Sequence, residues 1–201
     1  MYIIDETYFI KELYVPNLNE MDSDTLTTLE TAIDRYSRQF LRDALGNVLF
    51  TELDSHITDG VLDAGAPQKW LDLVNGVDDW KGLAFTEGTY KGSILAKYVY
   101  YYWLKDAVSN VTGTGEKVIT ATDALAVNPT QRLTNIWNDF IEDNQGRFHL
   151  NTYSYGYEYY YLNYSPCNDV NYSLIRFLSD KSEDYSDANK KVYEIKNQLG
   201  L

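Results

Sequence analysis

Leu26, Leu29, Ile33, Tyr36 and Phe40 recur at spacings of three and four, which draws one apolar stripe along an amphipathic helix of about five turns. Ser23 suits the N-cap of that helix, Asp24 its first turn, and Gly46 after Leu45 its left-handed end. Val48 to Ile57 continues as a second helix. Upstream, Asp5 to Tyr14 reads as a short helix with Tyr8, Phe9 and Leu13 turned inward, closed by the restriction that Pro16 places on Val15. Asp59-Gly60 and Asp63-Ala64-Gly65 mark a loop, and Pro67 opens a helix carrying Trp70, Leu71 and Val74 that stops at Gly76. Asp78 to Leu83 is a turn bearing an exposed or docking tryptophan, Trp80.

A stronger helix is expected from Ser93 through Ile94, Ala96, Val99, Trp103, Leu104 and Val108. Tyr98, Tyr100, Tyr101, Tyr102 and Trp103 put aromatic rings nearly all round it, a pattern that requires burial on several sides and that a monomer is expected to cover with difficulty. Thr112-Gly113-Thr114-Gly115-Glu116 then forms a glycine-bearing turn between short extended pieces. Thr122 or Asp123 opens a short helix, and Pro129 begins another with Leu133, Ile136, Trp137, Phe140 and Ile141 inward. The fold class this predicts is mainly α: a bundle of about four to six helices with a protruding hairpin or loop.

The pattern changes after residue 145. Tyr153, Tyr155, Tyr157, Tyr159 and Tyr161 alternate with period two, and Tyr160 and Tyr164 add further rings. This is a strand signal with tyrosine on one face and Ser154, Gly156 and Glu158 on the other. Leu174, Ile175, Phe177 and Leu178 form a small apolar cluster, and Val192, Ile195 and Leu199 suggest a terminal helix over Ala188 to Leu199. The expected organisation is a helical domain over 1–145 and a Tyr-rich extended arm with a short C-terminal helix over 146–201. The alternating tyrosines admit three uses: a half-buried strand over a helix, a platform on which sugars or bases stack, or a rigid protein interface. Their number favours the interface.

Composition narrows the function classes. The 201-residue chain carries a formal charge of −13, with 30 acidic against 17 basic residues, the opposite of the footprint of a protein that neutralises phosphates. Passive proximity to DNA remains compatible with that charge. One cysteine, Cys167, forms no internal disulfide, and with His56 and His149 it makes no structural zinc set. No apolar run reaches the length of a membrane span, and Met1 to Glu6 lacks the basic-then-apolar plan of a signal peptide, so synthesis in the cytoplasm and no membrane association are expected. Asp54-Ser55-His56 with Asp59 sits at a helix end, where such residues cap and solvate, and no nucleophile elbow, zinc-protease or phosphate-loop motif occurs. The expectation is a protein that is not an enzyme and has no cofactor or metal.

The order of features carries a resemblance. A first helix ending in Leu45-Gly46 is followed by Trp80-Lys81-Gly82-Leu83 and the aromatic helix Ser93 to Leu104. The turn Thr112-Gly113-Thr114-Gly115-Glu116-Lys117-Val118 comes next, and Asn128-Pro129-Thr130-Gln131-Arg132-Leu133 opens a further helix. Over residues 20 to 145 this resembles the head-to-tail connector (adaptor) proteins of tailed bacteriophages, of the crAss-like type. The resemblance implies a virion structural protein of the head–tail junction that forms a homo-oligomeric ring, commonly of twelve copies. It also implies a portal protein on one side, tail or further adaptor proteins on the other, and DNA passing the lumen unbound. The interface candidates are then Trp80 and Leu83, Thr112, Gly113, Gly115, Glu116 and Lys117 in the turn, and Tyr153, Tyr155, Tyr157, Tyr159, Tyr161 and Tyr164 in the arm. The alternative is a glycan-binding module that uses its Tyr and Trp rings as stacking platforms.

Overall fold

The computed structural model describes residues 2–15, 18, 24–112, 115–118, 130–146 and 172–196. Five α-helices and three two-stranded antiparallel hairpins are built from them, and the molecule is mainly helical. The helices are α1 (Asp24–Asp54), α2 (Gln68–Asn75), α3 (Ile94–Val108), α4 (Thr130–Gln145) and α5 (Leu174–Asp180). β1 (Ile57–Thr58) pairs with β2 (Val61–Leu62), β3 (Phe85–Glu87) with β4 (Tyr90–Gly92), and β5 (Ser109–Thr112) with β6 (Gly115–Val118).

The stripe on α1 is buried as its spacing predicts, with Leu29, Ile33, Tyr36 and Phe40 inside. Gly46 interrupts the helix at φ 80 and ψ 166, a backbone region that only glycine occupies readily, and the chain resumes as a second helical stretch to Asp54. The break exposes carbonyls that an unbroken helix would have used, and the main-chain N–H of Lys190 bonds to one of them, the Ala44 oxygen, at 2.9 Å. Asp59 and Gly60, both at positive φ (52 and 81), turn β1 into β2 in the manner of the primed hairpin turns. Asp5 to Tyr14 is two short 3₁₀ turns, Glu6–Tyr8 and Lys11–Leu13, separated by extended Ile10; Tyr8, Phe9 and Leu13 point inward nonetheless.

α3 lies at the centre, packed on α1 along one side and α4 along another, with the second 3₁₀ turn, Lys11–Leu13, also against it. Tyr98, Tyr100 and Tyr101 are buried, while Tyr102 and Trp103 pack partly buried at the core's margin. One chain therefore covers the aromatic helix that was expected to strain a monomer. Elements from both ends of the sequence make this possible.

Two further expectations are corrected. Residues 188–196 form no helix; they run as an irregular strap along α4. The strap's main chain is held by α4 side chains: Gln145 accepts from the Tyr193 N–H (2.8 Å) and donates to its carbonyl (3.0 Å). Asn138 does the same for Lys196 (3.1 and 3.0 Å), Asn144 donates to Lys191 O (3.0 Å) and the Trp137 indole to Glu194 O (2.9 Å). These amides satisfy backbone groups that a helix would have paired internally, which removes the helix's advantage. Residues 172–196 also do not extend away from the body. Leu174, Phe177, Leu178, Tyr185 and Tyr193 join the same core as α1 to α4, so this part of the expected arm closes the helical domain. Among the described residues no helix is long and apolar enough to cross a membrane.

Candidate functional site

The loop after α2 folds straight back on the helix it leaves. Leu83 N–H bonds to Leu73 O and Ala84 N–H to Val74 O, each at 3.0 Å, and the Trp80 indole N–H also reaches Leu73 O at 3.0 Å. Trp80 is 5% exposed and Leu83 0%, and the Trp80 ring stacks on Phe177 with centroids 5.3 Å apart. Both residues are thus committed to the chain's own core, which corrects their expected place at an interface: docking of Trp80 is intramolecular. Of the two places the sequence left open for Trp80, exposed or docking, the described residues show the second, with its indole N–H on a helix-end carbonyl.

The second group of candidates is brought together. α3 ends at Val108 and β5 begins at Ser109 with no intervening loop, so the hairpin is rooted directly in the core helix. Its register places Asn110 opposite Lys117, Val111 opposite Glu116 and Thr112 opposite Gly115. Gly113 lies outside the described residues, as do Tyr153, Tyr155, Tyr157, Tyr159, Tyr161 and Tyr164. Beside the hairpin's root, between the first turns of α1 and the last of α3, runs a groove of about 440 Å³ lined by Thr28, Ala32, Arg35, Tyr36, Trp103 and Asp106. Thr28 and Thr31 turn their hydroxyls back to the carbonyls of Thr25 and Thr27, which leaves methyl groups for the groove wall. Tyr36 donates to Asp106 at 2.5 Å, and burial, then that carboxylate, push its phenol up to about 12. The groove lay beyond sequence reasoning because its walls come from residues 70 positions apart in the chain.

Among the described residues the aromatic rings are largely structural. Tyr98 is ringed by Phe40, Phe140 and Tyr193 at 5.2, 5.1 and 6.1 Å, and Tyr101 lies 4.5 Å from Trp137. Burial raises the Tyr98 and Tyr193 phenols far above their ordinary value. Trp70, Trp80 and Trp137 are buried, so none of the three offers the open face that stacking on a glycan needs.

Two adjoining cavities of about 140 and 240 Å³ open beneath the β3–β4 hairpin and share Tyr90, Gly92, Ser93 and Lys97. Their polar groups already serve the fold. Ser93 Oγ donates to Leu83 O (2.6 Å) and caps α3 by accepting from Ala96 N–H (3.2 Å), so it is not poised as a nucleophile. Lys97 Nζ is paired with Asp143 at 2.6 Å. Burial raises the carboxyls of Asp143 and Asp139 in spite of Lys97, which pulls in the other direction. No set of three His, Cys, Asp or Glu side chains that could hold a metal occurs among the described residues. His56 follows α1, its N–H on Leu53 O and its carbonyl accepting from Asp63, while His149 and Cys167 lie outside the described residues.

Compared with protein-family models, characterised proteins and solved structures, the chain matches none.

Proposed function

We propose that the chain is a non-enzymatic virion structural protein, a head-to-tail connector subunit of a tailed bacteriophage that assembles as a ring between portal and tail. The observation that carries this reading is the passage of the buried core helix α3 into the β5–β6 hairpin without a loop. A rigid root of that kind transmits force between a partner bound at the hairpin and the helical body, which is what a junction under the pressure of packaged DNA requires. The order of motifs along residues 20 to 145 supports the same reading, and so does the charge. A conduit lined by subunits of −13 each repels phosphate and lets DNA slide.

In this reading Thr112, Gly115, Glu116 and Lys117 present the hairpin to the portal or the channel, and the groove beside Trp103 receives part of an adjacent subunit. Electron microscopy of intact particles carrying a labelled copy tests it. Density for a ring of this chain at the head–tail junction is the expected result, and its absence there sinks the proposal. Shortening 110–117 to a two-residue turn is expected to leave the melting of the helical body unchanged while abolishing binding to the portal.

A further inference from the structure

The chain from Tyr172 to Lys196 meets the rest of the molecule as a bound peptide meets its receptor. Phe177, Tyr185 and Tyr193 follow one another at intervals of eight residues, and each ring is buried in a different place. Phe177 stacks on Trp80 with centroids 5.3 Å apart. Tyr185 stands edge-on to Trp70 at 5.8 Å and donates to Lys69 O, while Tyr193 enters a slot between Trp137 (5.6 Å) and Phe140 (5.2 Å). A few large rings, each in its own pocket, are what anchor one chain on the surface of another. Besides the Lys190 N–H on Ala44 O, the segment is gripped by side chains: the amides of Asn138, Asn144 and Gln145, and Asp43 paired with Lys191 at 2.6 Å. Its own helix, α5, is only seven residues long, too short to hold its shape away from the body.

The connection into this segment is much longer than the gap it crosses. α5 packs directly on α4, and Asp143 in the last turn of α4 lines the same cavity as Tyr172. Packed helices lie roughly 10 Å apart and are ordinarily joined by about four to six residues. Here 25 residues, 147–171, separate Gly146 from Tyr172. A chain of that length reaches up to about 80 Å, twice the roughly 40 Å across a body of this size. We propose that the slots at Trp80, Trp70 and Trp137–Phe140 receive the segment Tyr172–Lys196 of a second copy of this chain, so that neighbouring copies exchange their C-terminal ends. The exchange keeps each of the segment's contacts and alters only which body it closes, so its interaction energy is unchanged and concentration decides between a chain's own segment and its neighbour's. When each copy gives its segment to the next, the contact is head-to-tail and closes into a ring. Only that last step rests on the connector reading; exchange between two copies in solution does not.

Cross-linking between chains tests the exchange. In a Cys167→Ser background, Asp43→Cys protein and Lys191→Cys protein are unfolded in urea, mixed, refolded at high concentration and treated with a short bismaleimide; the two positions face one another across the ion pair. A covalent heterodimer is expected, at several times the yield of dimer from Lys191→Cys protein alone. A yield at that control level, with the doubly substituted chain cross-linked only within monomers, overturns the proposal. Sedimentation of chains with an altered connection supplies a second measurement. Replacing 147–171 by 25 Gly and Ser residues is expected to leave self-association intact, because only length is needed. Replacing it by eight such residues, which reach about 26 Å, is expected to abolish association and leave a monomer of unchanged melting. Loss of association with the long replacement would assign it to the tyrosines of 153–164 and overturn the exchange. Undiminished association with the short one overturns it too, as does a parent chain that stays monomeric at every concentration. A ring seen in particles without a cross-link above control would remove the exchange and leave the connector reading standing.

Discussion

Gly76 and Gly82 lie against one another where the loop after α2 returns to its helix. A methyl group placed on Gly82 would sit 2.5 Å from Val74 O and 2.6 Å from Gly76 N, and one on Gly76 would sit 2.6 Å from Trp80 O. Backbone atoms on both sides cannot retreat as a flexible side chain could, and both glycines have positive φ, 93 at Gly76 and 90 at Gly82. Their exchange would dislodge Trp80 from Leu73 O and Phe177, so Gly82→Ala is expected to destabilise the fold by roughly 3 kcal/mol or more. Urea denaturation checks this, with Gly65→Ala as the comparison, because nothing lies within 4 Å of a methyl group there. Equal midpoints for the two variants would refute the account. The sequence already marked Gly76 as a helix stop and Trp80-Lys81-Gly82-Leu83 as a turn. That the turn is buried was hidden, because burial of Trp80 depends on Phe177, nearly a hundred positions later.

Among the elements, those whose partners are local were legible. The α1 stripe, the break at Gly46, the start of α4 after Pro129 and the hairpin around Gly115 follow from spacing, glycine and proline alone. The strap was not legible, because Val192, Ile195 and Leu199 do fit a helical spacing and the competing interaction is supplied by Asn138, Asn144 and Gln145 about fifty positions away. These bonds to the strap also explain why polar Asn144 and Gln145, the last two residues of α4, are only 1% and 3% exposed. Gln145→Leu keeps the bulk but leaves the Tyr193 N–H and carbonyl unpaired, a cost of about 1–3 kcal/mol. Gln145→Leu combined with Asn138→Leu should release the strap before the body unfolds. Limited trypsin digestion is expected to cut after Lys190, Lys191 and Lys196 many times faster in the double variant than in the parent, with the α1 to α4 body protected in both. Equal cleavage rates would show that the amides do not hold the strap.

At the scale of the whole molecule, tyrosine is the residue of the core, and this sets how the protein meets high pH. Tyr2, Tyr98, Tyr100 and Tyr185 are at most 1% exposed, and burial raises the phenol of each above its ordinary value of 10.0. A group whose proton is held more tightly in the folded state gives stability that is complete below the unfolded value and is lost as pH climbs toward the folded one. Here the loss begins near pH 10, where phenols of the unfolded chain start to ionise while the folded ones cannot. Each such tyrosine contributes a slope of about 1.4 kcal/mol per pH unit, so four together remove on the order of 5 kcal/mol within one unit, as much as many domains possess. Lysines also lose their charge in this range, but exposed pairs such as Lys191 with Asp43 contribute about 1 kcal/mol or less and cannot produce so steep a fall. The expected result is a cooperative alkaline transition in which tyrosinate absorbance and loss of helical circular dichroism rise together just above pH 10. A gradual phenol titration centred on pH 10 with the helices intact would show that the rings are open to water and that the aromatic core described by α1, α3, α4 and the strap does not hold in solution.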